Sequence, residues 1–130
     1  MHNKDLNFAR LKQQLSQHIK KIYQNCLAHE PKEITYQLFP DKLIIIMEDS
    51  VTQPERLLDQ SNQQNLAKEV RSVLDQIFQP QLRELIEQSM DVKIADFLFD
   101  TTISTGRTGA IAIFELQPTT LPVGDSNGRG

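Results

Sequence analysis

Twice along this chain a long helical stripe of apolar residues is followed by two short extended runs. The first stripe is Phe8, Leu11, Leu15, Ile19, Ile22 and Cys26, spaced by three and four, and it predicts an amphipathic helix over residues 5–28. No proline or glycine interrupts it, and Pro31 lies just beyond, where helices commonly stop. Ile34 to Leu38 alternates apolar and polar residues, the pattern of a half-buried strand. Phe39-Pro40-Asp41-Lys42 supplies a turn, with proline presetting φ at its second position. Leu43 to Met47 is apolar throughout, as in a strand that is covered on both faces or centrally placed.

The second half repeats this order. Thr52-Gln53-Pro54-Glu55 has the spacing of a capping box, and Ser61-Asn62-Gln63-Gln64 repeats it, so two helix starts are open. From Leu66 a stripe of Val70, Val73, Leu74, Ile77, Phe78, Leu82, Leu85 and Ile86 predicts a helix to about Met90, kinked at Pro80. Val92 to Phe99 and Ala110 to Leu116 read as two strands, connected through Thr101 to Gly109. Gln117 to Gly130 is rich in Pro, Gly, Thr and Ser without apolar periodicity, which predicts a disordered tail.

A length of 130 residues suits one domain, placed here at residues 1–116. The economical architecture is α+β, in the order αββαββ: a four-stranded, largely antiparallel sheet with two long helices on one face. At 1.5 Å per residue the first helix is roughly 36 Å long, more than such a core is wide. Its excess projects, packs on a second subunit or touches a partner, and a homodimer is the expected assembly.

Charge narrows the function classes. There are 14 Lys+Arg against 17 Asp+Glu, a formal charge of −3, which argues against a general nucleic-acid binder. The distribution is uneven. Residues 1–29 carry Lys4, Arg10, Lys12, Lys20 and Lys21 against Asp5 alone, whereas residues 48–91 carry nine acids and four bases. Lys12, Lys20 and Lys21 are therefore the candidate docking residues for an anionic membrane surface or an acidic partner. The alternative is a solvated helix face opposite the chain's own acidic half.

Cys26 is the single cysteine, so no internal disulfide forms, and its place on the apolar stripe predicts an inert core thiol. His2, His18 and His29 lack helical metal-seat spacing and read as surface or partly packed side chains. Met1 to Arg10 is largely polar, and no apolar run approaches the roughly 20 residues that span a bilayer. A cytoplasmic, reducing compartment is the expectation. Thr52 and Glu55, with Glu48, Asp49 and Asp59 nearby, are explained by helix capping and the helix dipole without an acid/base pair.

Ser104-Thr105-Gly106-Arg107-Thr108-Gly109 combines hydroxyls, an arginine and glycine-freed amides. Thr105, Gly106, Arg107, Thr108 and Gly109 are thus a candidate site for a small anion or nucleotide, anchored by Arg107; ordinary hairpin turn chemistry is the alternative. The GxxG spacing matches a KH-domain loop, but that loop joins two helices and this one joins strands. No phosphate-binding loop, nucleophile elbow or paired-carboxylate motif occurs, so no catalytic residue, metal ligand or cofactor is assigned.

Three segments carry a family resemblance: PKEITYQLFPDKLIIIMEDSVTQPERLL from Pro31, LAKEVRSVLDQIFQPQLRELIEQSMDVKI from Leu66, and DTTISTGRTGAIAIFEL from Asp100. Together they resemble the bacterial MpsC-like family of small domains, over about residues 8–116. The specific pieces are Val51-Thr52-x-x-Glu55-Arg56-x-Leu58, Arg71, and the last hairpin ending in Phe114-Glu115-Leu116. Members commonly show Leu-Thr-x-x-Glu; here Val51 precedes the threonine, and the last hairpin loop is longer than the usual pattern. The resemblance implies association with a sodium-linked system that generates membrane potential and supports inorganic-carbon uptake. It implies an accessory or regulatory role rather than transport itself, and no catalytic residue.

Overall fold

The computed structural model describes the backbone of residues 2–116 and the side chains of residues 7–116; the expected tail over 117–130 lies outside the described residues. The first helix, α1, runs His2–Leu27, starting three residues before the predicted start at residue 5. It ends where Ala28 takes a left-handed conformation (φ 52°) and donates back to the Gln24 carbonyl. β1 (Glu33–Leu38) and β2 (Lys42–Glu48) form the first hairpin.

The second helical region is two helices, not one. α2 (Gln53–Gln60) starts at Thr52, whose hydroxyl accepts from the Glu55 amide while the Glu55 carboxylate accepts from the Thr52 amide. The chain then breaks at Ser61–Gln63, with Asn62 at positive φ, before α3 (Gln64–Met90). The Thr52 capping box forms, whereas the Ser61–Gln64 one does not: Ser61 ends α2, α3 starts after Gln63 without a side-chain cap, and it passes through Pro80 as one element. Replacing Thr52 by alanine removes the hydroxyl half of the reciprocal cap and should cost about 1 kcal/mol in urea unfolding.

β3 (Ile94–Thr102) and β4 (Arg107–Phe114) complete an antiparallel sheet of order β1-β2-β4-β3. These strands reach further into the expected connection than their apolar pattern indicates, because Thr101 pairs with Thr108 and Thr102 with Arg107. The two threonine hydroxyls hydrogen-bond at 2.7 Å, so polar β-branched residues extend the ladder. Only Ile103 to Gly106 remain as turn, with Gly106 at φ 75°.

Leu43, Ile45 and Met47 of β2, Ala110 and Ala112 of β4, and Ile94 and Phe97 of β3 face the interior. Leu15, Ile19 and Tyr23 of α1, with Phe78, Leu82 and Ile86 of α3, close it from one side. The Tyr23 and Phe78 rings stack with centroids 4.5 Å apart in the same core as Ala110 and Ala112.

Two expectations about the stripes need correction. Cys26 is exposed, not a core thiol. The buried line on α1 follows the i, i+4 row Leu15–Ile19–Tyr23, which slants around the helix and is continued by half-buried Leu27, so Cys26 falls off it. On α3, Leu66, Val73 and Ile77 are exposed, since the interior takes the Phe78–Leu82–Ile86 row instead.

Candidate functional site

α1 crosses beside the free edge strand β1, and the two enclose a groove of ≈ 590 Å³. Lys12, Ser16 and Lys20 stand at i, i+4 and i+8 along α1, so all three point to the same side. All three line the groove, opposite Thr35 and Tyr36. Ser16 Oγ and the Tyr36 hydroxyl share a 2.8 Å hydrogen bond that ties helix to strand. Burial raises the Tyr36 pKa against that bond, so the hydroxyl stays protonated at neutral pH. The Lys12 ammonium stands 4.9 Å from the centroid of the Phe8 ring. Lys21 is exposed and does not line the groove, being about 100° round the helix from Lys20. Two of the three candidate lysines are therefore brought together around a pair of hydroxyls.

The residues of the 104–109 segment spend most of their polar groups internally. The Gly106 amide donates to the Thr102 and Ile103 carbonyls, and its own carbonyl accepts from the Ser50 amide and hydroxyl. The Arg56 guanidinium lies over Gly106, where an added Cβ would run into it, and Arg56 donates to Asp49 at 3.1 Å. Thr108 is buried, with its hydroxyl against those of Ser50 and Thr101. Arg107 donates through Nε to both carboxylate oxygens of Glu48, at 3.0 and 2.9 Å. The exposed Thr105 hydroxyl donates to the Thr102 carbonyl. Gly109 is a strand residue beside Ile46.

Behind this loop lies a charged cluster in which Glu55, expected only as a helix cap, is paired with Arg71. Glu55 and Arg71 are 1% and 3% exposed. Arg71 donates from Nε to Glu55 at 2.6 Å, from Nη2 to Glu55 at 2.8 Å and the Ser50 carbonyl at 3.0 Å, and from Nη1 to Asp75 at 3.3 Å. Burial works against the Arg71 charge, but Glu55 more than restores it and the pKa is raised. Glu55 thus caps α2 and anchors α3 at once. One signal was available: Arg71 lies four residues after buried Ala67 and seven before Phe78, a core position on α3.

Asp75 reaches solvent at the side of this cluster. Burial pushes its pKa up to about 6, with Asp100 and Glu55 adding to the rise and Arg71 opposing it. Among the described residues the buried Tyr23 hydroxyl has no partner at hydrogen-bond geometry, and burial pushes its pKa up to about 12. A cavity of ≈ 510 Å³ opens beside the cluster, lined among others by Lys68, Arg71, Asp75, Phe99 and Thr101. His18 and His29 bond to backbone carbonyls of Gln14 and Asp49. Among the described residues no three His, Cys, Asp or Glu side chains stand together as a metal seat.

Fold and geometry define an α+β domain with its helices on one sheet face and a lysine-flanked groove at the sheet edge. Among the described residues no helix is long and apolar enough to cross a membrane. The chain belongs to the MpsC family, described as the Na+-translocating membrane potential-generating system (MpsC), which matches residues 8–116. No curated protein and no solved structure matches it. Of the positions that carry the resemblance before the last hairpin, Thr52, Glu55 and Arg71 are bonded in the buried cluster, and the Arg56 guanidinium lies over Gly106 of that hairpin.

Proposed function

We propose that this protein is an accessory or regulatory component of a membrane ion or bicarbonate transport system, acting by docking rather than by catalysis. It works from the cytoplasmic side, and the groove between α1 and β1 is the docking face. The supporting observation is the placement of Lys12 and Lys20 on either side of the Ser16–Tyr36 hydroxyl pair in one open groove. Two cations and two hydroxyls suit an acidic loop or anionic headgroups, and each lysine near such a surface contributes about 1 kcal/mol. The family's link to a sodium-translocating membrane system supplies the kind of partner.

The test is co-sedimentation with transporter-containing membranes and with vesicles holding about 30% anionic lipid. Reversing Lys12 and Lys20 to glutamate should lower the partition coefficient by about tenfold or more, and raised salt should weaken wild-type binding. Reversing Lys21, outside the groove, should have the smaller effect. Equal partitioning of wild type and the Lys12/Lys20 variant removes the groove from this role.

A further inference from the structure

The sheet has a second face. Cross-strand pairing puts Lys42, Ile113 and Asp96 in one row across β2, β4 and β3. The next row is Ile44, Ile111 and Leu98, followed by Ile46, Gly109 and Asp100. These side chains point away from the helices, because their strand neighbours Leu43, Ile45, Ala110, Ala112 and Phe97 form the interior. Ile44, Ile46, Ile111 and Ile113 are half-buried only and Leu98 is 55% exposed, so five branched apolar residues share an uncovered face. An antiparallel sheet with one solvated face ordinarily alternates apolar and polar residues, and β2 and β4 do not. The unbroken run Leu43 to Met47 is the pattern of a strand covered twice, and the fold covers it once.

We propose that a second copy of this chain covers this face, the two sheets packing across a twofold axis that runs along β4. That axis lays β2 of each copy over β3 of the other. Ile44 then meets Leu98 of the second copy, and Ile111 meets itself. Lys42 and Asp96 lie on opposite sides of Ile113 in one row, so the same axis sets each Lys42 over Asp96 of the other copy. An isologous interface requires such self-complementarity. The β3 edge suits pairing less well, since it is irregular between Ile94 and Asp96 and carries Asp96 and Asp100. Three overlapping strands spaced about 4.8 Å apart give a footprint of roughly 300 Å² per copy. This is below the roughly 800 Å² per partner of standard interfaces, so the dimer dissociates on dilution. The inference is independent of membrane docking, because it concerns the purified protein alone.

Sedimentation velocity of the full chain across a concentration series from about 1 to 200 μM tests it. The dimer fraction should rise with concentration. Ile111→Asp should leave a monomer with an unchanged circular dichroism spectrum. Lys42→Glu and Asp96→Lys should each weaken the dimer by about tenfold, and the two together should restore it to within about threefold of wild type. Val73→Asp, on the exposed stripe of α3, should leave the dimer intact. A chain that stays monomeric throughout overturns the proposal. So does a dimer lost with Val73→Asp but kept with Ile111→Asp, or a double charge swap that restores nothing.

Discussion

Arg71→Met is expected to lower the unfolding free energy by about 3–5 kcal/mol, among the largest single effects open to this chain. Glu55 is sealed from water, and three of the four side-chain donations that Arg71 makes run to it or to the Ser50 carbonyl. Removing the guanidinium leaves a buried carboxylate that Thr52 alone satisfies through its amide and hydroxyl. The cost is that of an orphaned charge rather than the net worth of the pair. The double variant Arg71→Met/Glu55→Gln should therefore be much more stable than Arg71→Met alone, although it has lost more hydrogen bonds. Since domains of this size hold about 5–15 kcal/mol in total, the single variant will approach its unfolding threshold. Urea unfolding of the wild type, both single variants and the double variant closes the thermodynamic cycle. A single-variant cost below about 1 kcal/mol would show that water reaches Glu55.

The same cluster shows why part of this structure was legible in the chain and part was not. Local signals survive folding when one contact dictates them. The Thr52–Glu55 spacing formed its capping box because both partners lie within one helical turn. Leu43 to Met47 formed the central strand because no other short element accommodates five successive apolar residues. Failures arose where the deciding partner is remote. Thr101 and Thr108 look like loop residues until they are paired across the hairpin and with Ser50. Cys26 fits the α1 stripe by spacing, but the slant of α1 across the core selects Tyr23. Glu55 reads as a complete cap, so nothing local calls for a second bond to Arg71, 16 positions away. Lys12 and Lys20 become one site, without Lys21, only when β1 supplies the opposite wall of their groove.

The contribution of Asp75 to stability should also fall as pH rises from about 4 to 6. Its folded pKa is raised from 3.8 to about 6, by burial first and by Asp100 and Glu55 after it, with Arg71 opposing. The charged groups that act on it are Arg71 on its own helix, Asp100 on β3 and Glu55 on α2, and the Tyr23 hydroxyl on α1 is coupled to it. Between these two pKa values the folded state holds a proton that the unfolded chain has released, so unfolding gains stability relative to folding as pH increases. Below pH 4 both states are protonated and the penalty is absent; above pH 6 both are ionised and it is complete. At about 1.4 kcal/mol per pKa unit, the full change is on the order of 2–3 kcal/mol. Asp75→Asn keeps an oxygen for the Arg71 Nη1 donor and removes the titration. The difference in unfolding free energy between variant and wild type should therefore grow in the variant's favour from pH 4 to pH 6 and level off above it. A difference that stays flat across that window would place the Asp75 carboxyl in ordinary solvent and assign the pH dependence to other groups.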